Sequence, residues 1–208
     1  MNVTKCIDLV HSMYYNDNNK NNKGVHHMEL VQPIREKENI EKMKTELLKT
    51  GYKNYLMFVV GINTGLRISD ILRLKVIDLR DKTHINIIEQ KTDKPKRFLI
   101  NSMLKKEIDR YIENMEDDEY MFQSRKGDNK PISRVQAYRI LNGAAGKIGL
   151  EEIGTHTLRK TFGYWHYKQN KDVALLQDIF NHSAPSVTLR YIGINDDVKD
   201  KSIENFYL

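Results

Sequence analysis

The sequence predicts a mainly α (α+β) domain: a helical body with one small antiparallel β-sheet, preceded by a polar tail. Three observations carry this. Apolar residues recur at helical spacing in most segments after about Glu29. Two β-branched, aromatic-rich runs, "HINIIEQ" and "KRFLI", flank Lys91-Thr92-Asp93-Lys94-Pro95 and read as a single hairpin. The stretch "YYNDNNKNNKG" near the start has almost nothing apolar to bury. A length of 208 residues suits one domain of ordinary size plus that tail.

Residues 1–28 are therefore expected to be a flexible tail or linker, in which "MNVTKCIDLVHSM" could form one short helix. The His26-His27 pair and His11 are expected to be incidental and solvent-exposed. The folded domain is assigned to 29–208. In "REKENIEKMKTELLKTG" the stripe Ile40, Met43, Leu47 and Leu48 predicts a helix stopping at Gly51. "YLMFVVGIN" is apolar all round, as a buried helix would be. Thr64-Gly65 breaks it, and "ISDILRLK" starts another helix with Ser69 and Asp70 in its first turn. After the hairpin, Leu104, Ile108, Tyr111, Ile112 and Met115 mark a helix over 102–115. Ser133 and Gln136 form a capping-box pair for the next helix, which carries Val135, Tyr138, Leu141 and Ala145 and ends near Gly149. Helices are further expected over 157–169, over 173–180 behind Asp172, and over 186–192 after Pro185. Val198, Ile203, Phe206 and Tyr207 suggest a last, weakly amphipathic one.

Composition narrows the function classes. A hydrophobic fraction of 39% supports a packed core, and a charged fraction of 30% argues for a soluble protein. "YLMFVVGI" falls far short of the roughly 20 apolar residues of a membrane span. No secretory leader pattern opens the chain. Cys6 is the sole cysteine, which excludes an internal disulfide and suits a reducing cytoplasm. A formal charge of +6 permits a polyanionic partner without requiring one.

The chemistry concentrates in four places. In "HTLR", His156 and Arg159 sit three apart at a helix start, where unpaired N–H groups and a guanidinium fork both suit a phosphodiester. "NTGLRISD" places Arg67 after a glycine turn, with Asp70 one helical turn on to orient it. Lys91 lies at the mouth of the hairpin, in company with Lys94 and Lys96. "NHSAPSVTLRYIGI" puts His182 nine residues before Tyr191. Each feature alone is more common as ordinary structure. The order Arg, Lys, His-x-x-Arg, His, Tyr is far harder to reach by chance.

At these residues the chain resembles the tyrosine recombinases of the phage-integrase type. "TGLRISD", "HTLRKTF" and "HSAPSVTLRYI" match the three signature boxes of that family in sequence and order, from about Glu29 to the C-terminus. The resemblance implies a mostly helical catalytic domain whose small sheet carries a lysine. It implies Tyr191 as nucleophile toward a scissile phosphate, giving a 3′-phosphotyrosine and a 5′-hydroxyl. Arg67 and Arg159 would grip the non-bridging oxygens, and Lys91 (or Lys94 of the same hairpin) would protonate the leaving oxygen. His156 would take part in proton transfer at the tyrosine, and His182 would hydrogen-bond the phosphate. Double-stranded DNA is the implied partner, with self-association as a tetramer in the active complex, no cofactor, metal or ATP, and a cytoplasmic, nucleoid-associated location. A non-catalytic DNA-binding module and a type IB topoisomerase are the competing readings. Full-length members usually carry a further N-terminal helical domain. Val198, Ile203 and Phe206 could dock on a neighbouring subunit, as such a tail does in relatives, or pack at home. The aromatics beside the His-x-x-Arg box are expected to be scaffold, with Phe162, Trp165 and His166 toward the core and Tyr164 and Tyr167 buried or at its rim. His84 is expected to be incidental.

Overall fold

A computed structural model describes residues 31–208, apart from Thr92, Asn205 and Leu208. The expected tail of residues 1–28, with its short helix, Cys6, His11 and His26-His27, lies outside the described residues. The first apolar stripe becomes α1 (Lys37–Lys49), which buries Met43 and Leu47. Leu48 stays 50% exposed, because it stands about 100° round the helix from Leu47 and off the edge of the buried stripe. The all-apolar segment becomes α2 (Tyr52–Thr64), buried from Leu56 through Gly61 and packed by α1 on one side.

Gly65 caps α2 in the left-handed conformation at φ +65°. A β-carbon there would stand 2.4 Å from the Phe162 ring, so only glycine meets both demands. The chain then forms α3 (Ile68–Ile71), a single turn where the sequence suggests a helix running on to Lys75. The reason is burial. Leu72, Leu74 and Val76 all enter the core, an alternation that a continuing helix cannot deliver. Val76 N–H instead donates to Glu119 O, and a 3₁₀ turn follows over Val76–Asp78.

The hairpin forms as expected: β1 (His84–Ile88) pairs antiparallel with β2 (Pro95–Leu99), Ile85 opposite Phe98 and Ile88 opposite Pro95. Ile85 and Phe98 face the core. Next comes α4 (Ser102–Ile112), whose N-cap Asn101 accepts from Leu104 N–H at 2.9 Å. Leu104, Ile108 and Ile112 form its buried stripe. Met115 lies past its end, packed on the core from the following turn. In α5 (Arg134–Lys147) the Ser133 hydroxyl accepts from Gln136 N–H at 3.1 Å, and Ala137, Leu141, Ala144 and Ala145 turn inward.

The rest of the chain is α6 (Thr155–Asn170), α7 (Val173–Phe180), α8 (Pro185–Tyr191) and α9 (Ile194–Ile203). The Asp172 carboxylate caps α7, accepting from Leu175 N–H at 2.9 Å. Tyr164, Leu176, Phe180, Ile192 and Ile194 make a second, smaller core among these helices. At Gly163 the α6 backbone passes so near that a β-carbon would sit 2.6 Å from Phe180 and 2.7 Å from Ile192. Residues 32–35 are stitched onto this region. Ile34 N–H donates to Thr161 Oγ1, Trp165 Nε1 donates to Ile34 O, and Arg35 pairs with Asp197 at 2.8 Å. Val198, Ile203, Phe206 and Tyr207 remain exposed along and beyond α9. Among the described residues no helix is long and apolar enough to cross a membrane.

Candidate active site

The start of α6 organises the site. Gly154 N–H donates to Thr157 Oγ1 at 3.0 Å, which fixes the first turn. His156 is then exposed and Arg159 buried, one turn apart. Arg159 is 3% exposed and held at three points. Its Nη1 donates to Gly65 O at 2.6 Å, its Nη2 to Phe180 O at 2.9 Å, and its guanidinium carbon stands 4.3 Å from the centre of the Phe180 ring. Burial pushes its pKa down from the ordinary arginine value, and Tyr191, Glu89 and Asp70 act against that shift. Those three groups therefore lie within electrostatic reach of one guanidinium, from three separate stretches of chain.

Arg67 is the N-cap residue of α3, directly after the Gly65 turn whose carbonyl holds Arg159. Its Nη1 meets Glu89 Oε1 at 2.6 Å, out of hydrogen-bond alignment. The pair is thus Coulombic rather than directional. The guanidinium makes no aligned hydrogen bond to any described residue. Its N–H fork remains available to an acceptor such as a phosphate oxygen.

The acid beside Arg67 is thus Glu89, and Asp70 does a different job. Asp70 Oδ1 accepts from Gln90 N–H at 3.1 Å. Its carboxyl is held above the ordinary aspartate value mainly by burial. Asp70 points at the hairpin because its place in the single turn of α3 aims it across to the end of β1.

Tyr191 ends α8 and is half-buried. His156 Nδ1 lies 3.4 Å from its hydroxyl. The His182 ring meets the Tyr191 ring edge-on at 5.1 Å between centroids, and Phe180 does the same at 5.6 Å. The Lys160 ammonium stands 5.2 Å from the Tyr191 ring centre, on a residue only 4% exposed. His182 Nδ1 is 3.1 Å from Thr188 Oγ1, which orients the ring and directs Nε2 away from α8. Five of the six residues expected from the sequence are joined in this way through shared neighbours.

Lys91 is the sixth. It is exposed on the β1–β2 turn and makes no hydrogen bond or ion pair among the described residues. Its neighbours are occupied. Lys94 Nζ donates to Asn181 Oδ1 at 3.4 Å and Lys96 Nζ to Asp178 O at 2.7 Å, both at the end of α7.

Sequence reading missed Glu89, Lys160, Phe180 and Thr188. For Glu89 the signal was present: Ile85 and Ile87 alternate inward, and the same period carries position 89 inward. The expected scaffold aromatics behave as such, Tyr164 being buried and Trp165 bonded to Ile34 O. His84 sits at the surface with Thr83 and Arg97.

Comparison with known proteins shows the family and the fold. Residues 34–197 match the phage integrase family. The probable integrase/recombinase YoeC of Bacillus subtilis is 54% identical over 170 residues, which are 82% of this chain and 93% of YoeC. Tyrosine recombinase XerA of Pyrococcus furiosus is 25% identical over 80% of this chain, which spans 59% of XerA. Among solved structures, a crystal structure of XerA recombinase superimposes with a TM-score of 0.67 at 19% identity, over 86% of this chain and 67% of the other. A site-specific recombinase XerH bound to difH substrate gives 0.64 at 20% identity, over 89% and 59%. The described fold, the order of the signature boxes and these matches together make this chain a member of the phage integrase family of tyrosine recombinases.

Proposed function

We propose that this chain cleaves and rejoins double-stranded DNA at specific sites, with Tyr191 as nucleophile. The observation that carries the reading is the convergence of the Tyr191 hydroxyl, His156 and the two arginines from separate segments. Tyrosine titrates near 10, so only about one in a thousand is ionised at pH 7 without help. His156 Nδ1 is placed to accept the phenolic proton as Tyr191 Oη attacks phosphorus. Arg67 and Arg159 stabilise the charge that builds on the non-bridging oxygens, each such contact being worth about 3–4 kcal/mol in the transition state. His182, oriented by Thr188, adds a hydrogen bond. The P–O5′ bond breaks, and the Lys91 ammonium delivers a proton to the departing 5′-oxygen. The products are a 3′-phosphotyrosine and a 5′-hydroxyl. The phosphotyrosine retains the energy of the phosphodiester, so religation reverses the step without ATP, and the guanidiniums fill the role that a metal ion plays elsewhere. Double-stranded DNA is the partner, and assembly of four copies would complete strand exchange.

The test is covalent trapping. Nicked duplexes with a randomised core are incubated with the chain, and DNA that survives denaturing protein capture is sequenced. The reading expects an enriched site, linked at Tyr191 and absent with Tyr191→Phe. Equal recovery from wild type and Tyr191→Phe would remove Tyr191 as nucleophile. DNA binding without any adduct would favour a non-catalytic module.

A further inference from the structure

Glu89 is 0% exposed and stands at the end of β1, where the inward alternation of Ile85 and Ile87 continues into the body of the protein. A carboxylate in such a place costs several kcal/mol unless cations hold it. Here the Arg67 guanidinium lies at 2.6 Å, and the charge is felt at Arg159 and Asp70 as well. Two carboxylates thus offset two guanidiniums that would otherwise repel one another across the phosphate position.

The same residue closes the turn that carries Lys91. Glu89 N–H donates to Lys94 O and Glu89 O accepts from Asp93 N–H, both at 2.9 Å. The next amide, Gln90 N–H, donates to Asp70 Oδ1 at 3.1 Å. The turn is therefore stapled to the start of α3 at two adjacent points, a charge pair at Arg67 and a hydrogen bond at Asp70. Among the described residues, Lys91 makes no hydrogen bond or ion pair that would locate it. Its position follows from that of the turn.

We propose that Glu89 is a positioning residue that couples the Lys91 turn to Arg67, so that the phosphate-gripping guanidinium and the proton-donating ammonium move as one unit. The coupling is a property of the protein alone; its catalytic consequence rests on the recombinase reading given above.

Hydrogen exchange on the full chain tests the coupling without DNA. In Glu89→Gln the amides of Gln90 and Asp93 should exchange about tenfold faster or more, while the α2 amides keep their protection. Arg67→Gln, which removes the other end of the pair, should loosen the same turn. Unchanged exchange in the turn in either variant overturns the proposal. Loss of α2 protection in both variants also overturns it, because Glu89 would then be a pillar of the fold rather than a coupling.

Single-turnover cleavage on the trapped site gives the second readout, using ordinary DNA and DNA with a 5′-bridging phosphorothiolate. Sulfur leaves as a thiolate and needs no proton. Glu89→Gln should behave as Lys91→Ala does: slow on the ordinary linkage and restored to within several-fold of wild type on the sulfur linkage. A Glu89→Gln defect that is equal on both linkages, or absent on both, overturns the proposal. Failure of the wild type to form any adduct would instead remove the recombinase reading and leave the exchange result standing.

Discussion

Phe180 holds Arg159 twice, accepting from Nη2 through its carbonyl at 2.9 Å and lying beneath the guanidinium with its ring at 4.3 Å. The same ring meets Tyr191, His182 and Phe162. One fully buried side chain therefore separates Arg159 from Tyr191 and spaces both. Phe180→Ala should cost about 3–5 kcal/mol of stability by leaving a cavity in the smaller core, as read from urea unfolding. Phe180→Leu keeps the carbonyl and most of the volume. It should stay folded and still lower the rate of adduct formation, because the surface that spaces Arg159 from Tyr191 is gone.

Thr188 is buried and three residues before Tyr191, with its hydroxyl 3.1 Å from His182 Nδ1. Thr188→Val preserves shape and removes the only polar atom of the side chain. His182 then loses its orientation, and single-turnover cleavage should fall by about tenfold, the order expected for one neutral hydrogen bond. Thr188→Ser should restore most of it. Equal rates in all three proteins would show that His182 is oriented by packing alone.

Gly65→Ala should be disproportionately harmful for so small a change. It forces a side chain into φ +65° and against the Phe162 ring, at about 1–3 kcal/mol of backbone strain. It also shifts the carbonyl that receives Arg159 Nη1. A lower unfolding midpoint together with slower cleavage is the expected pair of results.

The three lysines of the hairpin should separate cleanly. Lys96 caps the carbonyl end of α7, so Lys96→Ala should lower stability by about 0.3–1 kcal/mol and leave the cleavage step nearly intact. Lys94→Ala should do less, its contact with Asn181 being long and exposed. Lys91→Ala should slow cleavage by about 10²–10⁴-fold, the usual contribution of general acid catalysis, with stability unchanged.

Acid sensitivity has an identifiable contributor at His166. Burial holds its pKa below the ordinary histidine value, and its Nδ1 is buried without a hydrogen-bond partner among the described residues. The unfolded chain takes up the proton first as pH falls. Stability contributed by the neutral ring is therefore fully present above the ordinary value of 6.5 and lost as pH falls toward the depressed native one. His166→Gln should flatten the unfolding midpoint between pH 7 and the acid limb relative to wild type, as thermal melts at a series of pH values would show.

Most of the fold was legible in the sequence because periodicity, caps and turn residues agree over long segments. Asp172 and Ser133 cap their helices as their residue types suggest. The exception is α3, where burial of Leu72, Leu74 and Val76 overrides a locally plausible helix. In the candidate site, the five side chains that the fold brings together are of distinctive type and stood out in the sequence: Arg67, His156, Arg159, His182 and Tyr191. Lys91 was read from its place on the hairpin and stays apart from them. What supports the five was not legible. Arg159 is held by the backbone carbonyls of Gly65 and Phe180, and a carbonyl has no residue-specific mark in a sequence. Glu89 was passed over because a charge at the end of a strand ordinarily faces water, although the strand period carries position 89 inward. Asp70 was assigned to the nearer partner in sequence, whereas the fold brings it to Gln90, 20 residues away.

The stitching of residues 32–35 to the far end of the chain has a mechanical consequence. Arg35 clamps Asp197 in the first turn of α9 and also reaches Gly193 O, two residues past Tyr191. α9 is thereby a cantilever: riveted at its root and bare beyond it, with Val198 midway and Ile203 at its tip facing solvent. Fraying that begins at the tip stops at the rivet.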